Sequence, residues 1–247
     1  MPEYTSDTLF NGSLRVYQER KGYRFSVDAV ILAGHVRPRP GERVIELGTG
    51  CGIVLLILAF RYPRSHYLGI EVQPRLHDLG LRNVADNRMQ DRIQLFLTDL
   101  KTLSPQGIGG RVDAVICNPP YRKAESGRLN PNPQKAIARH EMEMTLGQLL
   151  SAANRMLRSA GKFTIVYTAD RLGELLLEMK KTAIEPKYLR VVHASRRSDA
   201  KMVLVEGIKD ARRGFKIGPP LVMVDEAGCY TAEMARMFEA DFKFPDH

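Results

Sequence analysis

From Arg43 onward, short β-rich runs alternate with stretches whose apolar residues fall at helical spacing. RVIEL (Arg43–Leu47) leads through a glycine-rich turn into the apolar IVLLILAFRY. HYLGIE (His66–Glu71) leads into QPRLHDLGLRNVADN, where leucines recur on one helical face. RIQLFLTD (Arg92–Asp99), RVDAVICN (Arg111–Asn118) and GKFTIVYT (Gly161–Thr168) read as further strands, with helices predicted near Leu146–Leu157 and over RLGELLLEMKKTAI. YLRVVHAS and KMVLVEGI read as two more strands joined by a short basic link, followed by a short strand in LVMVD and a helical tail. Such alternation predicts an α/β fold whose parallel sheet is covered on both faces. Residues 1–40 read as an irregular or partly helical preface to one domain, 41–247.

Composition fits this picture and narrows it. The 247 residues suit one large α/β domain, and 44% hydrophobic content fills a core without covalent staples. Cys51, Cys117 and Cys229 are odd in number, far apart and without a CxxC pair, so neither a disulfide framework nor a metal site is expected, only buried free thiols. No apolar run reaches membrane-span length and MPEYTSDTLFNGS lacks a signal-peptide pattern, so a cytoplasmic protein is expected. The net charge of +9 is uneven: Arg122–Arg139 carries five basic residues against one acid, and Lys187–Lys216 nine against three. Two basic concentrations in an otherwise near-neutral chain point to a polyanion surface; solvated faces are the bland alternative.

The chemistry concentrates at the strand ends. Gly48, Gly50 and Gly52 in VIELGTGCG fall between a predicted strand and a predicted helix. Glycine there lets the backbone turn tightly and approach a ligand, although a tight βα turn alone explains such a pattern. Glu71 ends the next strand and suits two ribose hydroxyls, with Val72 beside it. Asp99, followed by Leu100, ends the third and suits an adenine amino group. The glycine spacing departs from GxGxxG, and the acidic Glu46 just before the loop disfavours a pyrophosphate but favours a cation. That combination points to S-adenosylmethionine.

Asn118-Pro119-Pro120-Tyr121 follows the fourth strand. Prolines fix φ and lack amide hydrogens, so this turn is rigid and rich in acceptors. The Asn118 side-chain oxygen and the Pro119 carbonyl suit a substrate amino group, and Tyr121 offers a stacking face. A proline turn that merely ends a strand is the structural alternative.

With these residues in view, Arg43 to Thr168 resembles the class I methyltransferases and the turn resembles the NPPY amino-methyltransferases. The resemblance implies a Rossmann-like, mostly parallel, twisted seven-stranded sheet with helices on both faces and a late antiparallel strand. KGYRFSVDAVILAGHV, NPPY with the later AIARHE, and VDEAGCYTAEM together resemble one family over about Leu14 to Met234. These are the bacterial tRNA adenine-N6 methyltransferases that modify the adenine beside the anticodon of valine tRNA. The resemblance implies a tRNA substrate, with Tyr23, Arg24, Phe25, Ser26 and Asp28 closing over the cofactor. Ser26 would also serve as an ordinary helix N-cap. It places Arg122, Lys123, Arg128, Arg139, His140 and Glu141 in or behind a substrate loop, and Arg196, Arg197, Arg212 and Arg213 on phosphates. Other acceptors (a protein glutamine, another nucleobase) and a non-catalytic RNA-binding module on the same fold stay open, as does the oligomeric state.

Overall fold

The computed structural model describes residues 4–20, 27–119 and 144–242. In chain order, a hairpin of β1 (Tyr4–Leu9) and β2 (Leu14–Glu19) is followed by helix α1 (Val27–His35) and strand β3 (Arg43–Leu47). Then come α2 (Ile53–Arg61), β4 (His66–Glu71), α3 (Pro74–Asp86), β5 (Ile93–Leu97) and β6 (Val112–Cys117). After residue 143 the chain continues with α4 (Leu146–Met156), β7 (Leu157–Thr168), α5 (Leu172–Lys181), β8 (Ile184–Ser195) and β9 (Ala200–Lys209). It closes with two short strands, β10 (Lys216–Ile217) and β11 (Leu221–Val224), and helix α6 (Ala232–Arg236).

Seven strands form the sheet in the order β8-β9-β7-β6-β3-β4-β5, and β10 and β11 add to the outer side of β8. β9 runs antiparallel to both its neighbours, while β3, β4, β5, β6 and β7 pair in parallel. The two faces explain the continuous apolar strands. Val44, Ala114 and Ile116 join α1 and α2 in one core, whereas Ile45, Leu47, Val115 and Cys117 join α4 and α5 in the other. Because successive strand residues point to opposite faces, a sheet covered on both sides needs apolar residues at every position. Helix α2 is buried from Ile53 to Ala59, which accounts for its all-round apolar sequence.

Within the preface α1 is the helical part, and residues 4–19 form what was not expected, a β-hairpin. Its signal was in the sequence, since Asn11-Gly12 sits between two runs of partial alternation, and Leu14 and Val16 are fully buried. The hairpin meets α3 through two asparagines one helical turn apart. Asn83 accepts the Tyr17 amide at 2.7 Å and donates to the Tyr17 carbonyl at 3.0 Å; Asn87 makes the same pair with Arg15 at 3.0 and 2.6 Å. Two side-chain amides thus do for the edge of β2 what another strand would do. Asn83 also donates to the Cys51 carbonyl at 2.9 Å, tying the hairpin to the glycine-rich turn. At the other end of the chain, the buried Arg190 on β8 grips Glu233 of α6 with two bonds of 2.8 Å. Of the thiols, Cys51 and Cys117 are buried as expected, but Cys229 is exposed, because it lies in the polar turn between β11 and α6.

Asn83 is fully buried and leaves three main-chain partners unsatisfied when truncated. Asn83→Ala is expected to destabilise the fold by about 3 kcal/mol, against about 1 kcal/mol for the half-buried Asn87→Ala. Urea unfolding of both variants checks this; equal losses would show that Asn83 is not the tie described.

Candidate active site

β3 lies between β4 and β6, so the direction of chain progression through the sheet reverses there. A crevice opens at such a switch point, beyond the carboxyl ends of the strands. The glycine-rich loop leaves β3 into it. Gly48 and Gly52 adopt φ of 75° and 82°, where a side chain is strained. The Gly48 and Thr49 amides both donate to the Ile70 carbonyl of β4 at 2.9 Å, which presses the loop onto the neighbouring strand. A Cβ at Gly48 would meet no atom within 4 Å, so the loop is open on that side.

Two buried carboxyls underlie the loop. Glu71 accepts the Gly50 amide at 2.8 Å on one oxygen and the Val72 and Gln73 amides at 2.9 Å on the other. The sequence suggested that Glu71 accepts from two ribose hydroxyls. Here three of roughly four acceptor sites on the carboxylate hold the protein's own backbone. Glu46 is 2% exposed and accepts the Thr49 hydroxyl at 2.6 Å. Burial pushes its carboxyl up to about 8; the Thr49 bond opposes that shift, and the nearby Glu71 adds to it.

The remaining strand ends complete the crevice. Val72 is 46% exposed, an apolar face next to Glu71. Asp99 accepts the Lys101 amide at 2.8 Å, and its carbonyl accepts the Thr102 and Leu103 amides. Arg155 of α4 fastens this turn, donating to the Leu100 and Leu103 carbonyls at 2.7 and 2.8 Å. Cys117, the last residue of β6, pairs in register with Leu47 and with Ile165 of β7. Asn118 and Pro119 therefore leave the sheet beside Gly48, both half-buried. Asp28 is buried in the first turn of α1. Tyr23, Arg24, Phe25 and Ser26 lie outside the described residues, as do Pro120, Tyr121, Arg122, Lys123, Arg128, Arg139, His140 and Glu141.

The four arginines expected on phosphates fall into two places. Arg196 and Arg197 are exposed in the β8–β9 turn, at the same sheet edge as the crevice and three strands from β6. At the usual strand spacing that is roughly 14 Å. Arg212 and Arg213 follow β9, which runs the other way, so they emerge at the opposite edge, roughly 30 Å off along the strands. Two other cations of the basic segment turn inward: Arg190 to Glu233, and Lys209 to the Asn154 and Leu157 carbonyls at 2.7 and 3.1 Å. Net charge in sequence did not reveal this division, because it follows from strand direction. Asn83, Thr49 and Arg155 were also missed; each acts on main-chain groups or a carboxyl that only the fold brings near.

Glu46 gives the crevice a pH signature. A carboxyl raised from 4.5 to about 8 on folding means that the native state holds a proton which the unfolded chain releases. Stability is therefore greatest below about pH 4.5 with respect to this group and falls as pH rises toward 8. The Glu46→Gln variant, which cannot titrate, is expected to lose that part of the slope. Melting temperatures between pH 5 and 8 check it; parallel curves for variant and parent would contradict it.

The Methyltransferase small domain family matches residues 24–185. A tRNA1(Val) (adenine(37)-N6)-methyltransferase of Porphyromonas gingivalis is 28% identical over 225 residues, covering 87% of each chain. Another of that name from Phocaeicola vulgatus is 25% identical, covering 90% of this chain and 87% of the relative. Among solved structures, a predicted O-methyltransferase from Agrobacterium tumefaciens superposes with a TM-score of 0.71 at 18% identity, covering 89% of this chain and 99% of that one. The sheet has the methyltransferase Rossmann-like architecture, and the chain belongs to the methyltransferase small-domain family.

Proposed function

We propose that the protein is a cytoplasmic, S-adenosylmethionine-dependent methyltransferase acting on the exocyclic N6 of an adenine in tRNA, next to the anticodon. One observation carries this reading: Asn118-Pro119 leaves β6 directly beside a glycine-rich loop underlain by two buried carboxyls. The donor set suits the cofactor. Gly48 leaves room on the open side of the loop, the spare acceptor capacity of Glu71 suits a ribose hydroxyl, and Val72 suits an adenine face. Asp99, with Leu100, would take the adenine amino group. Glu46 would lose its proton beside a bound ammonium or sulfonium, because a neighbouring cation favours the carboxylate. Residues 1–40 would pack over the cofactor; Asn83 already joins Tyr17 to the Cys51 carbonyl within the loop.

When bound, S-adenosylmethionine supplies a methyl group on a positively charged sulfur. This chain's own part is to aim the acceptor. The Asn118 side-chain oxygen and the Pro119 carbonyl each accept one hydrogen from the adenine amino group, drawing its lone pair out of conjugation with the ring. Positioning and fixed dipoles suffice, and the surplus proton leaves the nitrogen afterwards. By the same reading Tyr121 would offer the stacking face for the flipped base. The tRNA assignment follows the names of the relatives, which the chain matches over most of their length.

Transfer of labelled methyl to total tRNA and to total protein, with nucleoside analysis, tests this reading. Label in N6-methyladenosine is expected, and label in protein glutamine would overturn the choice of acceptor. Asn118→Ala is expected to lower turnover by about 100- to 1,000-fold with cofactor affinity retained.

A further inference from the structure

We propose that the edge of the sheet opposite the crevice carries a second RNA-binding surface, which engages a part of the RNA remote from the target base. This rests on the reading of the acceptor as RNA. At that edge, where α5 ends and β8 begins, an open groove of about 340 Å³ is lined by Leu176, Leu177, Lys180, Glu185, Pro186 and Phe215. Leu177 and Phe215 are 55% and 42% exposed, so the groove has an uncovered apolar floor and one accessible ring.

Beside Phe215, Arg212, Arg213 and Lys216 are all exposed. Lys187 donates to the Arg212 carbonyl, which fixes the start of this segment against β8. The nearby acids are Glu185 in the groove wall, Glu178, which pairs with Lys181 at 2.6 Å, and Asp210, which accepts the Ser159 hydroxyl at 3.0 Å. Cations outnumber them around the groove. In Arg212-Arg213-Gly214-Phe215-Lys216 an aromatic ring is interleaved with cations at one- and two-residue spacing. That arrangement suits a strand whose bases stack while its phosphates are neutralised. The volume lies within the range of pockets that hold a small planar ligand such as a base. An acidic amphipathic peptide would meet the same charge, but one exposed ring with Arg213 before it and Lys216 after it fits a base and its phosphates better.

The distance decides what kind of RNA can use the surface. Strands of ten and twelve residues separate this edge from the crevice edge, roughly 30 Å or more. A short stem–loop holding the target adenine in the crevice does not reach so far, whereas a full-length tRNA does.

The test is kcat/KM on full-length tRNA and on a short anticodon stem–loop, for the wild type and for Arg212→Ala/Arg213→Ala/Phe215→Ala. On full-length tRNA the triple variant is expected to raise KM about 10- to 100-fold with kcat unchanged, and to lower the salt slope by roughly 1 to 2. On the stem–loop it is expected to match the wild type. Phe215→Tyr, which keeps the ring, is expected to keep the affinity for full-length tRNA. Unchanged KM on full-length tRNA overturns the proposal, as does an equal loss on the stem–loop. If the wild type methylates neither RNA, the acceptor reading fails on its own. Fluorescence anisotropy with labelled tRNA then decides the surface, and binding insensitive to the triple substitution, or an acidic peptide seated there instead of RNA, overturns it.

Discussion

The Glu71 carboxylate holds the end of one strand to the loop of the next, and the crevice depends on it. One oxygen takes the Gly50 amide and the other takes two consecutive amides that open the β4–α3 connection. Hydrogen bonds to a charged acceptor are worth more than neutral ones, and here they are made at 5% exposure. The glycine-rich loop has one polar side chain that fastens it, the Thr49 hydroxyl on Glu46, and otherwise relies on its neighbours. Its shape comes from the Ile70 carbonyl, the Glu71 carboxylate and the Asn83 amide on Cys51. A loop fixed by its neighbours presents its open face without rearranging when a ligand arrives, which reduces the ordering cost of binding.

Glu46 sits beneath the same loop in a different state. Glu71 accepts three backbone amides, whereas Glu46 accepts the Thr49 hydroxyl and lies fully buried with Glu71 nearby, so burial holds its proton in place. Two neighbouring carboxyls with different environments divide the work. One anchors backbone amides, and the other is a neutral group that a cation can ionise.

The strand pattern made much of the fold legible. The alternation of strands and helices predicted a sheet covered on both sides, and the two cores on alternate residues of β3 and β6 bear this out. The positions of Gly48, Glu71, Asp99 and Asn118 at strand ends followed from the same rhythm. The hairpin before α1 was not seen, although Asn11-Gly12 marks its turn, because its strands are short and mostly polar. The inward turning of Arg190 and Lys209 was invisible for another reason. Their partners, Glu233 and two main-chain carbonyls, are distant in sequence. Strand direction likewise separates Arg196-Arg197 from Arg212-Arg213, which the linear charge count merged. Charge in sequence reports quantity; the antiparallel β9 decides on which edge it appears.

The central claim is that Glu71 organises the crevice for an adenosine-bearing cation. Calorimetric titration of S-adenosylmethionine into the wild type and Glu71→Gln tests it most directly, with circular dichroism to verify the fold. An amide at this position sets an NH2 against backbone donors, losing one or two charge-assisted bonds, so affinity is expected to fall by about 100-fold. Wild-type affinity in a folded Glu71→Gln protein would contradict the account.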